Sequence, residues 1–216
     1  MAQTVGAVID RAKRILQERG DGIRWTVEEL VGWLNEAYII VATQRPDAHS
    51  ITADISLQAG ARQQIPDDGL RLMDILANEK GRAIRATDRR MLDTTLPNWA
   101  GEKASLDTEF FVFDERTPRD FWVYPPAPEG AQVSAVYVEQ PSPHAVGDMA
   151  SPLSVSDRYA PALLDLVLYR AFSKDAESQA NLGRAQMHYK SAMEGVGIKT
   201  QSDTAMSPNG GGQDAG

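Results

Sequence analysis

The chain has 216 residues, 42% of them hydrophobic, enough for one large domain or two small ones with a real core, which excludes a disordered protein. It contains no cysteine, so disulfides, thiolate catalysis and cysteine-ligated zinc are excluded. The net charge of -8 argues against general affinity for nucleic-acid backbone, which needs a lysine and arginine excess on some face.

The opening "MAQTVGAVIDRAKR" mixes charges with apolar residues and places Ala2 where myristoylation needs glycine. A secretory leader and a lipid anchor are therefore not expected, and the protein should be made and kept in a cytoplasm. A first helix is predicted from about residue 3 to Arg19, with Val5, Val8, Ile9, Ala12, Ile15 and Leu16 on one face and "GDG" at 20–22 as its stop. The second begins at "TVEE", where Thr26 and Glu29 have the spacing of a capping box. Its stripe is Val27, Leu30, Val31, Leu34, Ala37, Tyr38 and Val41, widened by Trp33 and Ile40, and Pro46 marks its end.

Beyond Pro46 the period of the pattern falls to two. "ITADISL" alternates Ile51, Ala53, Ile55 and Leu57 with polar residues, as a half-buried strand does. A turn at "PDDG", strands over "LRLMDILAN" and around Ala83 to Thr87, and one helical turn in "RRMLDTTLPNW" follow. Phe110 to Phe113 and Phe121 to Tyr124 form a hairpin, and "QVSAVYVEQ" is the last strand. The third helix, "RYAPALLDLVLYRAFSKD" (158–175), is capped near Ser156 or Asp157 and is apolar most of the way round, since Ala162, Leu166 and Tyr169 lie off its main stripe. A fourth runs from about Ser178 to Glu194 on Leu182, Ala185, Tyr189, Ala192 and Met193. From Lys199 on, the chain is too polar and glycine-rich to order by itself.

The expected fold class is α+β, an antiparallel bundle of about four helices with an inserted small antiparallel β domain and an extended C-terminal arm. The expected divisions are 1–46, an N-terminal helical hairpin; 47–140, the β domain; 141–156, a linker; 157–198, a C-terminal helical pair; and 199–216, the arm.

Chemistry is sparse. His49, His144 and His188 lack partners at metal-ligand spacing, and no GXSXG elbow occurs, so that Ser173 and His188 on neighbouring helices are a chance pairing. "NGGGQDAG" has no strand before it and no helix after it, as a phosphate loop would need. Asp107, Glu109, Asp114 and Glu115 are accounted for by turn and edge solvation, and the tryptophans at 25, 33, 99 and 122 are expected in the core. No catalytic activity, cofactor or metal is expected. The one basic run, "KGRAIRATDRR", supplies Arg82, Arg85, Arg89 and Arg90 as an anion or partner patch, with a solvated strand and turn as the plainer reading.

"IRWTVEELVGWLNEAY", "AIRATDRRMLDTTLPNW" and "SDRYAPALLDLVLYRAFSKDAESQANLGRAQMHY", in this order and spacing, give a chain that resembles the head-to-tail adaptor (connector) proteins of tailed bacteriophages, the short-tailed kind in particular, over nearly all of residues 3–195. The resemblance implies a structural protein of the virion head–tail junction, forming a homo-oligomeric ring, usually twelvefold, between the portal protein and a tail or nozzle protein. DNA would pass through without specific binding, and no membrane is involved. On this reading Trp33, Ile40, Leu166 and Tyr169 form the subunit interface, which would cover the second face of the third helix. Met206, Ser207, Pro208 and Asn209 belong to an arm that reaches the portal. Two other readings stay open: a tail-completion or tail-tube component presenting its sheet to a neighbour, and a DNA-binding accessory protein using the basic run.

Overall fold

The computed structural model describes residues 2–175 and 178–206. The chain divides into two compact units, Met1–His49 with Pro141–Gly216, and Ser50–Gln140.

The first unit is helical. Helix α1 (Val5–Leu16) starts at Thr4, whose hydroxyl accepts the Ala7 amide. It stops at Gln17, which holds a left-handed conformation at φ 60°, short of the glycines expected to end it. The early stop comes from Glu18: its carboxylate accepts the amides of Ile23, Arg24 and Trp25, pulling the chain back on itself. The bonds from Arg24 and Ile23 also hold that carboxyl below its ordinary pKa. Helix α2 (Val27–Gln44) carries the capping box, with Thr26 and Glu29 each accepting the other's amide. After the second unit come α4 (Ala160–Lys174) and α5 (Gln179–Met206). One core joins α1, α2, α4 and α5, with Ile9, Leu30, Leu34, Tyr38, Leu163 and Val167 at its centre.

Helix α5 enters that core through Ala185, Ala192 and Val196, whereas the expected stripe residues Leu182 and Tyr189 are 44% and 45% exposed. Small residues let two helix backbones approach closely, and the larger side chains flank the contact. The helix also runs to Met206, past the start of the expected arm at 199; residues 207–216 lie outside the described residues.

The second unit holds β1 (Ser50–Ser56), β2 (Gly60–Gln64), β3 (Gly69–Asn78), β4 (Arg85–Ala86), α3 (Arg89–Thr95), β5 (Phe110–Phe113), β6 (Asp120–Ala127) and β7 (Gln132–Glu139). They form a three-stranded sheet in the order β1-β7-β3 and a four-stranded sheet in the order β2-β6-β5-β4. Every pairing is antiparallel except β4 with β5, which is parallel and two residues long. The inner faces share one core that includes Ile55, Leu72, Ile75, Phe121, Val123 and Tyr137. On the outer face of the four-stranded sheet, Leu92 of α3 and Trp99 pack with Ala61 and Val112, and Trp122 lies partly buried against them.

Candidate interaction surfaces

Helix α4 is apolar all round because it is the buried centre of the helical unit, packed by α1 and α2 and by α5. The Trp25 indole donates to the Ala171 carbonyl at 2.8 Å, and Lys174 and Arg170 pair with Glu29 and Glu36 of α2 at 2.6 and 2.7 Å. Toward α5, the Asp165 carboxylate meets His188 Nδ1 at 2.8 Å and accepts from Ser191 Oγ at 2.7 Å. The His188 ring stacks on Phe172, and Tyr169 packs on Tyr189 with ring centroids 5.0 Å apart. His188 therefore does have a carboxylate partner, from another helix, and its neighbours are Asp165 and Ser191 in place of Ser173.

This geometry corrects the expectation for Leu166, which is 2% exposed and belongs to the core shared with α5. No neighbouring subunit can cover a side chain that its own chain already covers. Trp33, Ile40 and Tyr169 differ: they lie against the same core but stay half-buried, with apolar surface left in solvent. Of the expected arm residues, Met206 is the last of α5, and Ser207, Pro208 and Asn209 lie outside the described residues.

The basic run does not gather into one positive surface. Arg82 pairs with Glu109 at 3.1 Å, Arg85 lies over the Phe110 ring, and Arg89 sits over Trp122 with Asp93 at 3.6 Å. Arg89 and Arg90 line an open cleft of about 810 Å³ together with Arg116, Trp122 and the acidic residues Asp88, Asp93, Asp114 and Glu115. Carboxylates outnumber guanidinium groups there, so phosphate backbone has little to gain from entering.

Two polar clusters escaped sequence reasoning. Arg45, 3% exposed, directs Nε to Asp47 Oδ1 at 2.8 Å and lies 3.1 Å from the Tyr159 hydroxyl, which donates to Asp47 Oδ2 at 2.7 Å. Burial alone would raise the Asp47 pKa, but bonds from Arg45 and Tyr159 and the charges of Arg45 and Arg158 hold it below the ordinary range. This network ties the end of α2 to the start of α4. Proximity of Arg45 and Asp47 in sequence was a signal; the part of Tyr159, more than a hundred residues away, was not. In the second cluster, His144 Nε2 lies 2.9 Å from Ser154 Oγ, which donates to the Ser142 carbonyl at 2.6 Å. With its proton committed to a carbonyl, the Ser154 oxygen accepts from the imidazole, opposite to the polarity a nucleophile needs.

Among the described residues, no group of three or more histidine or acidic side chains is placed to hold a metal ion, and no helix is long and apolar enough to cross a membrane. No curated protein matches the chain. A family model described as SU10 adaptor protein matches residues 3–212. That span takes in the whole of the second unit and nearly all of the first, and the chain belongs to the SU10 adaptor protein family, consistent with the phage head-to-tail adaptors that its sequence resembles.

Proposed function

We propose that this protein is the subunit of a ring, of about twelve copies, that joins the phage portal to the tail or nozzle around the DNA channel and serves head completion, DNA retention and ejection. The family match across both units carries this reading. The helical units pack side by side, with Trp33, Ile40, Tyr169 and the exposed Tyr189 at the contact, so each subunit offers a different surface to each neighbour and the ring closes. The net charge of -8 suits a channel that lets DNA slide, because a wall without excess cations releases no condensed counterions and holds no phosphate.

Mass photometry of the chain mixed with the portal ring of the same phage genome tests the proposal. Twelve subunits of 23.6 kDa predict a gain of roughly 280 kDa on the portal particle. No gain would refute portal attachment and favour the tail-completion reading.

A further inference from the structure

The two sheets of the β unit end in four edges, β1, β3, β2 and β4. Strand β3 slips register against β7 at three points, β2 slips between Gly60 and Arg62, and β4 is two residues long. Broken or very short edges resist further pairing. Strand β1 is different: its seven residues keep unbroken register with β7 from Ser50 opposite Val138 to Ser56 opposite Gln132.

The hydrogen-bond pattern fixes which way the β1 backbone points. The Leu57 amide donates to Ala131 at 2.7 Å, one step beyond the Ser56–Gln132 pair, and Gln132 accepts from Glu79 on the far side of β7. Antiparallel alternation then turns the peptide groups of Ile51, Ala53 and Ile55 toward β7, and those of Thr52, Asp54 and Ser56 away from it. These three residues are exposed. Among the described residues, no strand but β7 pairs with β1, and no other backbone hydrogen bond reaches their amides.

We propose that β1 is a strand-addition site, taking an extended segment of a partner protein whose alternate residues are apolar and which carries a lysine or arginine opposite Asp54. The backbone edge supplies affinity, and the side chains select the occupant. Ile51 and Ala53 are only half-buried against the core, so an apolar residue on the added strand would finish covering them. Asp54 is the one charged residue of β1 and has no ion pair among the described residues, so it favours a cation across the new pairing. A second copy of β1 is the poorer occupant, because it brings another carboxylate and no cation. The edge belongs to the single chain and needs no ring, so the site stands apart from the ring reading.

The test is amide hydrogen exchange on the full chain, alone and with a synthetic nonapeptide that alternates valine with threonine and has one lysine at the centre of its threonine face. The amides of Thr52, Asp54 and Ser56 should exchange fast in the free chain and slow by about tenfold or more with peptide, while those of Ile51, Ala53 and Ile55 are slow throughout. Asp54→Lys, at an exposed position, should weaken binding about tenfold, and a peptide with glutamate for lysine should recover it. Outward amides already protected in the free chain, or unmoved by peptide, would overturn the proposal. So would protection that grows with chain concentration without peptide, which would make a second copy the occupant, or equal binding of the two peptides.

Discussion

Replacing Leu166 by alanine separates a core residue from an interface residue. At 2% exposure, within the core that unites α2, α4 and α5, the leucine leaves a cavity that its neighbours only partly close. Such a substitution costs about 3 kcal/mol, the transfer of the lost methylene groups and methyls plus the cavity term. With a urea slope of about 2–3 kcal/mol per M, the unfolding midpoint of the helical unit should fall by about 1 M. Trp25 and Trp33 report on that unit, and Trp99 and Trp122 on the β unit. Phenylalanine in place of each pair in turn therefore assigns the fluorescence transition, which matters because two units need not unfold as one. The midpoint reported by Trp99 and Trp122 should stay where it is. An unchanged helical midpoint, with ring formation lost, would refute the placement of Leu166 and return it to the subunit contact.

Gly22→Ala should destabilise the helical unit by about 1–3 kcal/mol, since Gly22 sits at φ 81° and an added Cβ would lie 2.1 Å from the Trp25 carbonyl oxygen; thermal unfolding by circular dichroism measures it. The Asp47 network predicts a pH dependence with a definite sign. Its folded pKa is depressed, so its contribution is full above the unfolded value near ~3.9 and is lost as pH falls through the lower folded value. Asp47→Asn should therefore lower helical-unit stability at neutral pH by about 1–3 kcal/mol, by leaving buried Arg45 without that partner, and should flatten the acid limb of a stability profile taken from pH 6 to pH 2. An acid limb as steep as that of the unsubstituted chain would place the titration elsewhere.

Much of the fold was legible where the forces are local. The capping box at Thr26 and the stripe of α2 lie within a few residues of each other, β1 and β7 alternate as strands packed on one face must, and β5 and β6 stand out as aromatic-rich runs. Strand β2, "GARQQ", was not legible, because its buried positions are Ala61 and Gln63. Gln63 is 1% exposed and belongs in the core only because its amide donates to the carbonyls of Gln58 and Gly60 and accepts the Gln58 amide. A polar side chain satisfied by its own loop looks like a solvated one until the loop is folded.

The same concealment explains α4. An all-round apolar helix establishes that it is covered on every side, but not by which chain, and the inference to a neighbouring subunit came from the resemblance to ring-forming adaptors. Much of the cover comes from α5 of the same chain, which among its described side chains buries Ala185, Ala192 and Val196 and completes the contact with His188 and Ser191 bonded to Asp165. Asp165 is the one acidic residue of α4 and looked like an interruption of its apolar surface; it is the anchor for the helix that covers it. The subunit contact must then be sought in side chains that remain half in solvent after the chain has covered itself, Trp33, Ile40 and Tyr169, a set that differs from the one marked by apolar character alone in losing Leu166.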